Sequence, residues 1–378
     1  MKESRKVLLL SPVASIGGGE SVLLDLATYL PSFGIQVIAL CLKSGPLVGE
    51  FEKRDREVHI FEIPQLRRLD RLLSCILYIK KLVRQKRIDL IHSNHTGHLA
   101  GLPAARLAHI PELWHIHDVA HKKDLTARLL EDILPPEHIL FTTPEVERGC
   151  SNFKVRARST SVICPGIDIE RIKRSISETV QQHIRHRYKI PENIPLCLTV
   201  TRMQEHKGHR YLLECAHILK ERKQAVHFAI AGEATGEKQK KYLNELKCMV
   251  NNLGLVNNVS FLGFVNELDL HLLMQDANVL VHPALSEGFG LVILESLALG
   301  TPVIAAAAEG PTRILKDGEG GLLVPPGNPT ALANAVAKFL NDKELQKRLA
   351  QRGVNRAQQF TSRRMARETA NLYMCLLG

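Results

Sequence analysis

Apolar and polar positions along the chain fall into two alternating patterns. Short runs rich in Val, Ile, Leu and Phe, bounded by turn residues, read as strands. Between them lie longer stretches in which apolar residues return at helical spacing. In the first half the strand runs are Lys6–Ser11, Gln36–Leu42, Val58–Ile63, Asp89–Ser93, Glu112–Ile116, His138–Phe141 and Thr160–Cys164, with helices over Glu20–Leu30 and Arg71–Gln85. The rhythm restarts in the second half, with strands at Leu196–Val200, His227–Ala231, Val259–Phe261, Val279–Val281 and Val303–Ala306. Helices are expected there over Gly208–Lys220, Gln239–Leu253, Asp269–Gln275, Leu291–Leu299 and Pro329–Leu340. Strands alternating with helices predict parallel, doubly wound sheets. The polar stretch Asp168–Pro195 holds no clear strand and contains Pro191 and Pro195, so it separates two α/β domains, 1–175 and 190–360. Two such sheets in series place ligands in a cleft at the carboxyl ends of their strands.

Length agrees with two domains, since 378 residues is more than twice a typical domain of about 150. No apolar run reaches the roughly 18 residues a spanning helix needs. The short apolar run after the N-terminus ends in Ser11-Pro12 and a glycine cluster, and reads as a first buried strand instead of a signal peptide. Eight cysteines include no CxxC pair, which fits reduced thiols in the cytoplasm better than a disulfide framework or a zinc site. The net charge of +11 favours anionic partners. With no basic tail and only 5% aromatic residues, it suggests a phosphorylated ligand and not nucleic acid.

Four segments carry candidate chemistry. In Ser286-Glu287-Gly288-Phe289-Gly290-Leu291, a strand feeds a glycine-bearing loop and a helix then begins. Glycine lets a ligand approach the backbone, and a helix N-terminus offers free N–H groups to an anion such as a diphosphate. Glu287 at the loop mouth suits sugar hydroxyls, and Glu295, about a turn into the helix, suits a ribose diol. A first-turn acid followed by a surface Glu gives the same spacing. In Thr201-Arg202-Met203-Gln204-Glu205-His206-Lys207-Gly208, Arg202 as a fork and Lys207 as a point charge suit one phosphate group, though an ordinary basic βα loop reads alike. Gly17-Gly18-Gly19-Glu20 after the first strand is a nucleotide-type turn without the GxGxxG spacing; simple loop closure is its alternative. Of the histidines His92, His95, His98, His115, His117 and His121, all but His117 read as solvated loop residues, and their spacing does not suit a metal. His117 follows a strand and is expected to project into the cleft.

Together, in this order, these segments resemble the retaining glycosyltransferases of the GT-B fold, family 4. Gly17-Gly18-Gly19-Glu20 resembles the family's GGxE loop, and Trp114–Asp118 its tHd element. Phe141-Thr142-Thr143-Pro144-Glu145 stands where the family has vSe, and Cys164-Pro165-Gly166-Ile167-Asp168 matches yNGiD with Pro for Asn. Arg202-x4-Lys207-Gly208 matches R-x4-K-G, and Glu287-x7-Glu295 matches Glu-x7-Glu with its EGFG core, followed by Gly300-Thr301-Pro302. Departures are Thr201-Arg202 for GR, Gly232-Glu233-Ala234 for GdG and Ala308-Glu309-Gly310 for the small-residue turn.

The resemblance implies a hexosyl transferase using a nucleoside-diphosphate sugar, UDP-sugar ahead of GDP-sugar, with no metal or other cofactor. Arg202 and Lys207 would hold the diphosphate, and Glu287 with the Gly288-Phe289-Gly290-Leu291 backbone the donor sugar. Glu295 would take the ribose. Gly17, Gly18 and Gly19 would face the phosphates, and His117 would sit near the sugar and leaving oxygen. A C-terminal helix, 361–378, would cross back to the first domain. The implied acceptor is a glycan or lipid-linked glycan of polysaccharide or glycolipid synthesis. A nucleotide-sugar epimerase or a non-catalytic nucleotide-sugar binding protein of the same fold is the alternative. The basic amphipathic segment Arg67–Arg87 either packs on the sheet, touches the inner face of an anionic membrane, or does both.

Overall fold

The computed structural model describes residues 4–63, 69–118, 134–151, 157–177, 184–316 and 318–378. They form two compact units, Met1–Gly166 with Thr361–Gly378, and Ile167–Phe360.

The first unit is built on seven parallel strands: β1 (Arg5–Ser11), β2 (Ile35–Cys41), β3 (Glu57–Ile60), β4 (Leu90–Asn94), β5 (Glu112–Ile116), β6 (His138–Phe141) and β7 (Ser159–Val162). Their order is β3-β2-β1-β4-β5-β6-β7. The chain moves outward from β1 to β3, then returns to the other side of β1 at β4, so the reversal lies between β1 and β4. Parallel pairing needs crossover helices, and these cover both faces, which is why β1, β4 and β5 are buried along most of their length. Leu8, Leu10, Leu40 and Ile91 pack against Ile76, Ile79 and Val83 of the helix Leu69–Lys86 and Ala104 of the helix His98–Ala108.

The second unit repeats the plan with six parallel strands: β8 (Leu196–Val200), β9 (His227–Ala231), β10 (Val259–Gly263), β11 (Val279–His282), β12 (Val303–Ala306) and β13 (Gly321–Val324). The order β10-β9-β8-β11-β12-β13 puts its reversal between β8 and β11. Its core joins Phe228, Ile230, Val279 and Val281 to Leu212 and Leu219 of one helix and Val336 and Phe339 of another. Side-chain caps set several helix starts: Asn266 accepts from the Asp269 N–H at 3.0 Å, Asn328 from Ala331 at 2.9 Å and Asp342 from Leu345 at 2.9 Å.

The two units meet in sequence earlier than the polar stretch suggested. The helix Ile169–Ser177 packs on the helices Glu267–Asp276 and Leu291–Ala298 of the second unit, and Arg171 pairs with Glu267 at 2.7 Å. Residues 167–175 therefore go with the second unit; the helix buries its apolar face there. Arg185, nearly buried, then pins the rest of the connection: it bonds Asp276 at 2.6 Å and the carbonyls of Pro191, Glu192 and Ile194. The last helix, Ser362–Leu377, packs on the helix Gly18–Tyr29 of the first unit.

Candidate active site

In an open parallel sheet, ligands bind beyond the carboxyl ends of the strands where the strand order reverses. In the second unit that place is built by the loops after β8 and β11. The β8 loop carries Arg202 and Lys207, and the β11 loop carries Glu287. The two loops are tied by the Leu285 N–H to the His206 carbonyl at 2.8 Å, and the strands by Thr199 Oγ1 to the Val281 carbonyl at 2.9 Å. Gly208 closes the first loop with φ +77°; a Cβ there would lie 2.0 Å from the Pro283 carbonyl oxygen, so only glycine lets the loops approach this closely.

The approach brings Lys207 and Glu287 together. Lys207 Nζ donates to Glu287 Oε2 at 2.9 Å, and His282 Nε2 lies 3.1 Å from the same oxygen. Burial raises the Glu287 carboxyl, but the His282 hydrogen bond and the charges of His282 and Lys207 outweigh it and hold the group well below the usual carboxylate range. Nε2 of His282 faces an acceptor-only carboxylate, so Nε2 carries hydrogen; buried Nδ1 finds no hydrogen-bond partner among the described residues. Arg202, on the same loop as Lys207, is exposed. The Glu287 carbonyl accepts from Gly310 N–H at 3.0 Å, and a Cβ on Gly310 would strike the Phe289 carbonyl at 2.3 Å. Phe289 is buried edge-on against Phe360. Gly290, at φ +95°, caps the helix Leu291–Ala298 without a side-chain hydrogen bond, and a Cβ there would lie 3.5 Å from Glu287 Cγ, so the helix begins next to that side chain. Glu295 is half-buried on that helix.

The first unit shows the same logic at its own reversal, between the loops after β1 and β4. Gly17, in extended backbone, precedes the helix Gly18–Tyr29; Gly18 is exposed and Gly19 buried. A Cβ on Gly19 would lie 2.5 Å from His95 Nε2 and 3.2 Å from His117, so the glycine loop sits directly on the histidines. His95 adopts φ +48°, a strained conformation for a non-glycine residue, and its carbonyl is held by Trp114 Nε1 at 2.7 Å.

Here the expectation of solvated histidines is overturned. His92, on β4, and His115, on β5, are fully buried, because both strands are interior to a sheet covered on both faces. His98 is buried with its ring stacked on Trp114 at 3.7 Å, and of the five described only His95 is partly exposed. His121 lies outside the described residues. In the parallel register His92 pairs with Leu113 and Asn94 with His115, so these residues share one face. His92 Nε2 lies 3.1 Å from His115 Nδ1, and His92 Nδ1 lies 2.5 Å from Tyr373 Oη of the last helix. His117, just past β5, is buried; its ring lies 4.0 Å from that of His115 and 4.8 Å from that of His95. Burial first, then the neighbouring histidines, push His115 and His117 well below the usual histidine range, and burial pushes His92 down to about 3. Sequence reasoning quoted Glu20 within the glycine loop but gave it no role, and it missed His282 and Asn94 as site residues; these two end apolar strands, β11 and β4, at the reversal of each sheet, which is the signal that would have found them. Among the described residues no group of three His, Cys, Asp or Glu is placed to hold a metal ion.

Comparison with known proteins agrees with this architecture. The family model for Glycosyltransferase Family 4 matches residues 16–171, and that for Glycosyl transferases group 1 matches residues 180–356. The chain is 31% identical to the Bacillus subtilis protein EpsD over 208 residues, spanning 55% of this chain and about half, 52%, of that protein. It is 29% identical to the D-inositol 3-phosphate glycosyltransferase of Corynebacterium urealyticum over 317 residues, 76% of this chain and 72% of the other. The crystal structure of Anabaena HepE with UDP and glucose has the same fold, with a TM-score of 0.84 at 24% identity over 98% of this chain and 99% of that one. With both halves matched in order and two parallel α/β units of this topology, the chain belongs to the glycosyltransferases of group 1 and family 4 and has the GT-B fold.

Proposed function

We propose that this glycosyltransferase moves a hexose-type sugar from a nucleoside-diphosphate sugar to an acceptor hydroxyl with retention of configuration and without a metal. The observation that carries the reading is the Lys207–Glu287–His282 cluster beside the start of the helix Leu291–Ala298, at the reversal of the second sheet. Cleaving the anomeric C–O bond leaves oxocarbenium character on the sugar and negative charge on the diphosphate. Lys207, Arg202 and the helix N-terminus supply the positive charge that this leaving group needs. Glu287, ionised at neutral pH by its partners, accepts from donor-sugar hydroxyls, and Glu295 accepts from the ribose. Gly17, Gly18 and Gly19 face the phosphates, and His117 works at the sugar. UDP-sugar is favoured over GDP-sugar, and the HepE complex with UDP and glucose supports that choice.

The acceptor is assigned to a glycan or lipid-linked glycan of polysaccharide or glycolipid synthesis, met at the inner face of a membrane in the cytoplasm. Within Arg67–Arg87, residues 67 and 68 lie outside the described residues. Over Leu69–Lys86, Cys75, Ile76, Ile79, Leu82 and Val83 pack on the sheet, while Leu69, Leu73 and Leu77 are exposed, the first by 70%. Arg71, Lys81 and Arg84 are exposed on the same helix. Apolar side chains flanked by cations fit an anionic lipid surface. Among the described residues no helix is long and apolar enough to cross a membrane.

Nucleoside-diphosphate release from UDP-glucose and GDP-mannose, with and without glycan acceptors and EDTA, tests the proposal. The expected result is acceptor-dependent, EDTA-insensitive release and a product with the donor's anomeric configuration by NMR. Acceptor-independent sugar interconversion, or binding without release, would favour the epimerase or binding-protein alternative.

A further inference from the structure

Three buried polar groups in the first unit form a chain that the reading of His117 does not by itself require. Glu20 is buried at the start of the helix Gly18–Tyr29; its Oε2 accepts from the Gly17 N–H at 3.2 Å. Its Oε1 accepts from Asn94 Nδ2 at 3.3 Å. Asn94, fully buried at the end of β4, turns its Oδ1 to His117 Nε2 at 2.5 Å. The chemistry of each group leaves one consistent assignment. A carboxylate only accepts, so the Asn94 amide must present its NH2 to Glu20 and its oxygen to His117. An amide oxygen only accepts, so the hydrogen of His117 must sit on Nε2.

We propose that Asn94 and Glu20 are positioning residues that fix His117 in its Nε2–H tautomer, leaving Nδ1 as the nitrogen that accepts a hydrogen bond from a substrate hydroxyl. The inference rests on the reading of His117 as the working imidazole of the first unit. Orientation of an imidazole by a carboxylate through a hydrogen bond is a general device for fixing a tautomer. The surroundings reinforce it. The rings of His95 and His115 lie against that of His117, and burial first, then the His95 and His92 charges, disfavour a second proton on it. Glu20 is the carboxylate on the opposite side, with Oε1 3.7 Å from His95 Nε2, and Asp118 adjoins His117 in sequence. A neutral ring with Nε2 committed to Asn94 has one lone pair left, on Nδ1.

The test uses the full chain labelled with 15N-histidine, His117 being assigned by loss of its signals in His117→Gln. Long-range proton–nitrogen spectra at pH 7 are expected to show a neutral Nε2–H tautomer in the wild type. Glu20→Gln removes the acceptor-only partner and is expected to give a mixture of tautomers. Asn94→Asp sets a carboxylate against Nε2 and is expected to raise the imidazole pKa, so the acid limb of the kcat/KM profile moves up by at least about one pH unit. Asn94→Ala is expected to lower kcat at least about tenfold, a part of what a positioned acid–base group contributes, and to add nothing in a His117→Ala background. An Nδ1–H tautomer in the wild type would overturn the inference, as would a tautomer unmoved by Glu20→Gln or a pH profile unmoved by Asn94→Asp. Reading the wild-type tautomer needs no turnover, and only His117→Gln has to fold for the assignment. Lack of transfer by the wild type with an Nε2–H spectrum sinks the functional reading and leaves the tautomer assignment standing.

Discussion

At the scale of single residues, the second unit's site depends on a charge balance around one carboxylate. Burial raises the Glu287 carboxyl; His282 and Lys207 more than offset it and keep the group ionised. Glu287→Gln preserves shape but loses the charge-assisted acceptor. Hydrogen bonds to charged groups are worth roughly 1.5–3 kcal/mol, so kcat/KM is expected to fall about 10- to 100-fold, and the melting temperature falls too because buried Lys207 loses its counter-charge. Steady-state kinetics beside a thermal melt checks this, and a variant with wild-type kcat/KM would remove Glu287 from donor binding. The pairing was only half visible in the sequence. Lys207 and Glu287 stand out by motif, but nothing in the spacing says that they touch, because 80 residues and a strand crossing separate them. His282 was hidden as the last residue of an apolar strand.

At the scale of elements, glycine sets how closely loops meet. Gly208→Ala forces a side chain into φ +77° and against the Pro283 carbonyl. Backbone strain of this kind costs about 1–3 kcal/mol, and the clash adds to it, so the denaturant midpoint is expected to drop and donor binding to weaken as Lys207 moves. Wild-type stability in that variant would contradict the packing described. A second element-level prediction concerns the helix Leu69–Lys86. Leu73→Ser with Leu77→Ser is expected to leave the fold intact and to abolish sedimentation with phosphatidylserine-containing vesicles, with neutral vesicles unbound throughout; equal binding by the variant would dismiss this face as a membrane contact. Strand rhythm was legible almost everywhere, since interior parallel strands are continuous apolar runs, but the helix Lys343–Ala357 was not anticipated. The rhythm failed at β13, where Gly321–Val324 is four residues long after a glycine-rich turn. It also failed at the helix Glu309–Leu315, which opens with Gly310 and Pro311 among its first residues. Buried histidines on β4 and β5 were misread for the converse reason: polar side chains inside a covered sheet look like loop residues when only composition is considered.

At the scale of the molecule, stability is tied to pH through those same histidines. His92, His115, His117 and His209 stay neutral in the fold because burial pushes them down, His209 to about 4. The unfolded chain takes up these protons below about 6.5, so stability is lost as pH falls through 6.5 towards the folded values. Between pH 7.5 and 5.5 each of these histidines lowers stability by roughly 1 kcal/mol. Glu112 acts oppositely: burial pushes its carboxyl up to about 8, so it gains stability over the same interval, offsetting about 2 kcal/mol. His138, His227 and His271, also pushed down by burial, add to the loss, so a net fall in stability of several kcal/mol by urea unfolding is expected; constant stability across that range would contradict the burial of these rings. The connection between units is a separate weak point. Arg185→Ala leaves Asp276 and three carbonyls without their donor and is expected to cost about 2–4 kcal/mol in the second unit. The central claim, that the second unit seats a nucleoside diphosphate on Lys207 and its neighbours, is tested most directly by calorimetric titration of the protein and Lys207→Ala with UDP, GDP, ADP and NAD, each with and without EDTA. The account predicts EDTA-insensitive binding of one nucleoside diphosphate, UDP first, that is lost in the variant; binding of NAD alone, or no nucleotide binding by the folded protein, would contradict it.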